Sequence, residues 1–316
     1  MNAGGRVLEL SKADLSMLER LSAFIDEESP ELAEFLTRTW DDQQKAITYR
    51  ELREAIFNGE ISKAQILNWQ QDYSVFVSTV YAPVAEKAIN KAAMELAQRF
   101  GGLVHDPQTF AMRQFIESRG AQLVREMSAA QTAAINTIVK QASLSGTLTV
   151  NECARAIRPC IGLTKRQTQA TYNFYEKLRE LGVPPKTALK RQATYAEMTH
   201  RNRAETIAQT EMGRAYNEGA AIAVQEGQQQ GLFGKFKERW LTAEDERVCP
   251  QCGALHGVTI EQGGTFPGGI ILPPAHPRCR CAVAYDIEPI EETGGVQFTL
   301  QEIEDLYNTY MTAPFV

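Results

Sequence analysis

Between Leu8 and about Gly231 the apolar residues recur at intervals of three and four, the spacing that lines one face of a helix. Ile66, Trp69, Tyr73 and Phe76/Val77 make one such stripe, and Met112, Phe115, Ile116, Leu123 and Met127 make another. Four capping boxes punctuate the pattern: Ser62xxGln65, Thr149xxGlu152, Thr164xxGln167 and Thr299xxGlu302. In each, the hydroxyl accepts from the amide three residues on, and the Glu or Gln returns to the cap amide. Breaks at Asn58-Gly59, Gly101-Gly102, Ser145-Gly146, Gly162 and Gly182-Val183-Pro184-Pro185 divide the pattern into about six to eight helices.

The span from about His200 to Gln230 predicts a helix longer than the rest, with Ala204, Ile207, Ala208, Ala215, Gly219 and Ile222 on its apolar stripe. Glu211 falls inside that stripe, where a buried carboxylate requires a partner, and Arg214 at i+3 is placed to supply one. Beside it, Thr210, Arg214 and Asn217 form a polar stripe with small neighbours, suited to close approach by another segment of chain. From Leu232 the pattern shifts to short extended pieces at Phe236–Leu241, Val258–Ile260, Ile270–Leu272 and Ala282–Ile287. Gly263, Gly264, Gly268 and Gly269 surround Pro267 in a loop that reads as a hairpin tip, since no Lys-Ser/Thr or helix start follows to make it a phosphate cradle.

These patterns predict a mainly α protein: an elongated multi-helix body with a small α+β module toward the C-terminus, to which the cysteine spacing below adds a stabilising zinc. The divisions are 1–146 for an N-terminal helical domain, 147–231 for a central helical segment, 232–290 for that module and 291–316 for an acidic amphipathic tail. In that tail Leu300, Ile303, Leu306, Tyr307 and Tyr310 share one side.

The chain has 316 residues, enough for two or three domains, and its net charge of −6 is unevenly spread. Residues 1–60 carry 13 acidic and 7 basic side chains; residues 155–203 carry 11 basic and 3 acidic; no Lys or Arg follows Arg280. Such a layout suits a protein that meets a polyanion on one face and protein at its ends. No apolar run is long enough to span a bilayer, and the first residues lack a basic flank before an apolar core, so a soluble chain made in a reducing cytoplasm is expected.

Against that background, four of the six cysteines and two of the four histidines fall between Trp240 and Ala282. Cys249 and Cys252 form a CxxC knuckle, and His276, Cys279 and Cys281 return in the order HxxCxC. Tetrahedral zinc is gripped in this way, by two close ligand pairs from distant segments. Five candidates compete for four positions, either as four thiolates or as three thiolates and an imidazole. A site so rich in thiolate is closed, which favours a structural over a catalytic Zn2+. Cys153 and Cys160 read as buried small side chains.

The order of motifs resembles a known family. RxExIAQTExxRAYNxG at Arg203–Gly219, WxTAxDERVCPQC at Trp240–Cys252 and PPAHPRCRC at Pro273–Cys281 are similar to the phage head morphogenesis family typified by the phage Mu F protein. The matching residues are Thr210, Glu211, Arg214 and Asn217 on the helix, Trp240 and Asp245 with the first cysteine pair, and His276, Cys279, Arg280 and Cys281 in the second half. The resemblance implies a structural minor head protein without enzymatic activity. Such a protein is made in the host cytoplasm and built into the virion, in the capsid interior near the portal. Its implied partners are the portal protein, a major capsid or scaffold protein, and packaged double-stranded DNA, with which it is retained or ejected. The competing expectation is a zinc-associated nuclease in which His276 or His256 activates water. It lacks a carboxylate pair placed to hold a catalytic cation.

Overall fold

The computed structural model describes residues 11–106, 109–144, 148–243 and 245–288. The boundary expected at Ser145-Gly146 and the capped tail around Thr299 lie outside the described residues. The helices of the body are α1 (Lys12–Ala46), α2 (Tyr49–Asn58), α3 (Lys63–Phe76), α4 (Ala82–Phe100), α5 (Phe110–Leu144), α6 (Val150–Ile157), α7 (Lys165–Glu180) and α8 (Pro185–Gln229). Three strands and one short helix follow: β1 (Phe236–Leu241), α9 (Pro250–Leu255), β2 (Thr259–Glu261) and β3 (Ala282–Ile287).

Local chemistry sets most of these boundaries. Thr149 and Thr164 make the reciprocal caps their sequences predict, while Ser62 caps α3 through its hydroxyl. Two further boxes, Ser11 with Asp14 and Thr48 with Glu51, open α1 and α2. Gly59 closes α2 in the left-handed region (φ 76°), where a Cβ would be strained. α3 passes into α4 through one π-helical turn at Val77–Tyr81, which turns Val80 and Tyr81 into the core.

The long helix begins earlier than its apolar stripe suggests. Pro185 at its first turn has no amide to lose, and no breaker follows until the end of the helix. α8 therefore runs for 45 residues, about 68 Å at 1.5 Å per residue, and forms the long axis of the body. It packs along α1 and α4. The α4 contact is close at Gly219, where an added Cβ would lie 2.5 Å from the backbone of Ile89. One apolar core joins helices on both sides of residue 146, with Trp40, Trp69, Tyr73, Ile138, Tyr172 and Met212 all buried in it.

β1 is the centre of an antiparallel sheet ordered β2-β1-β3, with Trp240 opposite Val283 and Leu241 opposite Ala282. Ile270–Leu272 forms no strand. Ile270 makes a single bridge to Phe266, because the loop turns back on itself at Gly268 and Gly269, both at positive φ. Arg239 of β1 donates to Asp286 of β3 and to the buried Asp14 of α1, which fastens the sheet to the start of the first helix.

Candidate metal centre

Trp240 anchors the module from below. It is fully buried in β1 and meets Phe266 edge-on at 5.1 Å between centroids, which fixes the glycine-rich loop over the sheet. From there the chain passes to Cys249, the N-cap of α9. Its sulfur accepts from the amide of Cys252 at 3.4 Å, so the knuckle is also a helix cap. Asp245 holds the return segment: its two oxygens accept from Arg280 at 3.1 and 2.8 Å, and Arg247 adds a third contact. Those bonds, with that of Arg280 the largest, keep the Asp245 carboxyl below its ordinary range.

The five candidate ligands converge. Nε2 of His276 lies 3.1 Å from the sulfurs of both Cys249 and Cys252, and Cys252 lies 3.8 Å from Cys279. The ligand atoms of Cys249, Cys252 and His276 lie within 4.8 Å of one another, as do those of Cys252, Cys279 and Cys281. Cys252 belongs to both groups. Two thiolates on one zinc are separated by roughly 3.8 Å when each Zn–S bond is about 2.3 Å, and the Cys252–Cys279 pair meets that spacing. His276 turns its other nitrogen, Nδ1, to the carbonyl of Pro277 at 2.8 Å, the outer bond that orients a metal-bound imidazole. The void these residues enclose with Val248, Arg278 and Arg280 is about 20 Å3, room for an ion and little more. Donor chemistry, spacing and size together fit a zinc ion.

Proton affinity is unevenly shared across the cluster. The hydrogen bond from Cys281 draws the Cys279 thiol down to about 5, and the same contact raises Cys281. Burial pushes Cys252 up to about 12, while the amide of Cys252 lowers Cys249. A divalent cation that binds such touching thiols displaces the protons for which they compete.

The polar stripe of α8 lies directly under the second ligand pair. Thr210 accepts from the amide of Arg278 at 2.9 Å, and Asn217 donates to the carbonyl of Cys281 at 3.1 Å. Between them Gly213 faces the loop, where a Cβ would meet the carbonyl of Cys279 at 3.4 Å, in contact but not in clash, so only a larger side chain would crowd it. The Arg278 side chain reaches along α8 to Thr206, Asn202 and Glu205, with its own backbone at a positive φ of 60°.

Glu211 and Arg214 stand apart from the metal loop. The expected Arg214 lies 3.6 Å from Glu211, but Arg119 of α5 takes both carboxylate oxygens, at 2.8 and 2.5 Å. Arg119 carries no motif, and a partner 92 positions away has no local signal in the sequence. Gly213 and Arg278 were in principle legible, one as a glycine inside an otherwise sound helix and the other within the cysteine return. His256 is not part of the cluster; Thr242 approaches its Nδ1 through its hydroxyl at 2.9 Å and its amide at 3.2 Å. Cys153 and Cys160 are buried away from the cluster, and burial raises both thiols.

A long helix that seats a Cys/His cluster able to hold a metal ion, beside a small three-stranded sheet, defines a mainly helical protein. Residues 133–284, from within α5 to β3, match the family described as Phage Mu protein F like protein. That likeness suggests a phage head morphogenesis protein. No curated protein and no solved structure matches the chain. No helix among the described residues is long and apolar enough to cross a membrane.

Proposed function

We propose that this chain is a structural minor head protein that acts at the portal vertex of a tailed phage, inside the capsid, with Zn2+ holding its C-terminal module in shape. The observation that carries the proposal is the seating of the metal loop on α8. Thr210 and Asn217 bind the backbone of the very segment that carries Cys279 and Cys281, with Gly213 between them, so the metal would join two chain segments to the main axis of the body. Residues placed in this way make a rigid knob, and four thiolate and imidazole ligands would fill the tetrahedral positions of the ion.

In this proposal the zinc site takes Cys249 and Cys252 with two of His276, Cys279 and Cys281. Trp240 and Asp245 hold the module closed, and Glu211 with Arg119 fixes α8 against α5. The divisions 1–146, 147–231 and 232–290 serve as a helical base, a central spine and the metal knob, and 291–316 serves as an acidic arm for a portal or scaffold partner. Contact with packaged DNA is the lesser part. Of the cations between 155 and 203, Arg203 is buried against Gly162, Arg158 donates to the carbonyl of Ile47, and Arg179 pairs with Glu152, so fewer charges face outward than the sequence count suggests.

Co-purification of the chain with its cognate portal, with and without residues 296–316, tests the assignment. Retention of the full chain and its loss on truncation is the expected result. Failure of the full chain to bind portal under any salt condition would contradict a portal-vertex role and leave the metal site untouched.

A further inference from the structure

Two surfaces of the body have no partner among the described residues, and they lie on different faces along α8. On one flank α1 and α8 bound a groove made of two cavities of about 430 and 380 Å3, which share Glu34, Thr37 and Arg201 and so run into one another. Small residues such as Ala33 and Ala196 line it, which leaves room for a helix-sized ridge. Two polar groups along the α1 wall are left over. The buried Ser29 hydroxyl has no hydrogen-bond partner among the described residues, and Pro30, inside α1, has no amide to return to the carbonyl of Asp26. The lining carries five carboxylates against two arginines, a net charge of −3.

On the other flank Phe174 of α7 and Tyr195 of α8 pack at 5.5 Å between centroids, tilted by 43°, while remaining 38% and 41% exposed. Met198, 66% exposed, continues the stripe by one turn, and Arg191 precedes it by one turn. The α7–α8 hairpin from 165 to 195 carries seven Lys or Arg against two Glu, a net charge of +5. At about 100° per residue, Tyr195 on this flank and Glu197 on the groove are about 160° apart around α8, while Met198 and the groove's Arg201 are about 60° apart.

We propose that these are the two halves of one contact between copies of this chain. The cationic aromatic flank of α7 and α8 in one copy seats in the acidic α1–α8 groove of the next. Charge, a helical ridge facing a helix-lined groove, and unpartnered apolar and polar groups on both sides support the match. Because the two surfaces differ, the contact is head-to-tail, the kind that builds a ring or an open array instead of a closed pair. Nucleic acid on the cationic flank would account for its charge but for neither the packed apolar pair nor the groove. The inference does not depend on what the assembled copies bind.

Sedimentation velocity of the full, metal-loaded chain, from micromolar to near-millimolar concentration at low and high salt, tests it. The expected result is association at low salt that weakens as salt screens the contact. Arg191→Glu and Glu197→Lys, both at exposed positions, are each expected to weaken association by about tenfold or more, because each places like charges across the interface. An equal mixture of the two variants is expected to associate again, since the reversed flank of one then meets the reversed groove of the other. Unchanged melting and zinc content show that the variants are folded. A wild-type chain that is monomeric throughout, association indifferent to both reversals, or a mixture that stays apart would overturn the proposal. So would a monomer that shifts a short DNA duplex through Arg191, which would assign the flank to nucleic acid.

Discussion

Arg119 of α5 grips Glu211 of α8 through two parallel hydrogen bonds, with 11% and 5% of the two side chains exposed. The fork geometry suits a guanidinium and a carboxylate, and burial keeps water from competing. Tyr81, brought in by the π-helical turn, lies close enough for the Glu211 charge to add to the effect of burial in raising its hydroxyl.

Removing the guanidinium leaves a carboxylate buried without its main partner. Arg119→Ala is therefore expected to cost about 3–5 kcal/mol in urea unfolding. The double variant Arg119→Met with Glu211→Leu, which removes both charges and keeps the volume, is expected to recover most of that loss. Equal stability of Arg119→Ala and the wild type would show that Arg214 alone can hold Glu211.

The seat of the metal loop makes a separate prediction. Asn217 donates to the carbonyls of Gly213 and Cys281, and it is buried. Asn217→Ala is expected to cost about 1–3 kcal/mol and to speed loss of zinc to a chelator. Gly213→Leu, which pushes a side chain toward the carbonyl of Cys279, is expected to speed zinc loss further while the helical content of the body persists. Chelation at the wild-type rate in both variants would separate α8 from the metal centre.

Acid should act through His200. Its Nε2 donates to the carbonyl of Ile161 at 2.7 Å, and burial lowers its pKa from 6.5 to about 4. A histidine kept neutral in the fold contributes stability that is complete above its unfolded pKa of about 6.5. That contribution falls as the unfolded chain takes up its proton, and it is gone below about pH 4. The loss over this window is on the order of 3 kcal/mol. His200→Gln is expected to flatten the slope of stability between pH 6.5 and pH 4, measured by urea midpoints; an unchanged slope would place the acid sensitivity elsewhere.

What the sequence made legible follows from where each signal sits along the chain. The caps at Thr149 and Thr164 and the glycine stop at Gly59 are local, so residues three or four apart declare them. The strands at Phe236 and Ala282 were visible from their apolar runs, and the cysteine pairs from their spacing. Ile270–Leu272 misled because its apolar residues pack against the core from a turning loop instead of pairing in a ladder. The partner of Glu211 was not legible, because Arg119 belongs to a distant helix that only tertiary packing brings near. The boxes at Ser11 and Thr48 carry the ordinary signature, the first with Asp in place of Glu, and needed only a fuller scan of the chain.

The central claim is that a metal ion binds between Cys249/Cys252 and the His276–Cys281 return and holds both on α8. Elemental analysis of protein purified without chelator, paired with thermal unfolding before and after chelation, tests it most directly. About one equivalent of zinc per chain, with a clear fall in melting temperature when it is removed, is the predicted result. Less than about half an equivalent, together with a melting temperature unmoved by chelator or added zinc, would contradict it.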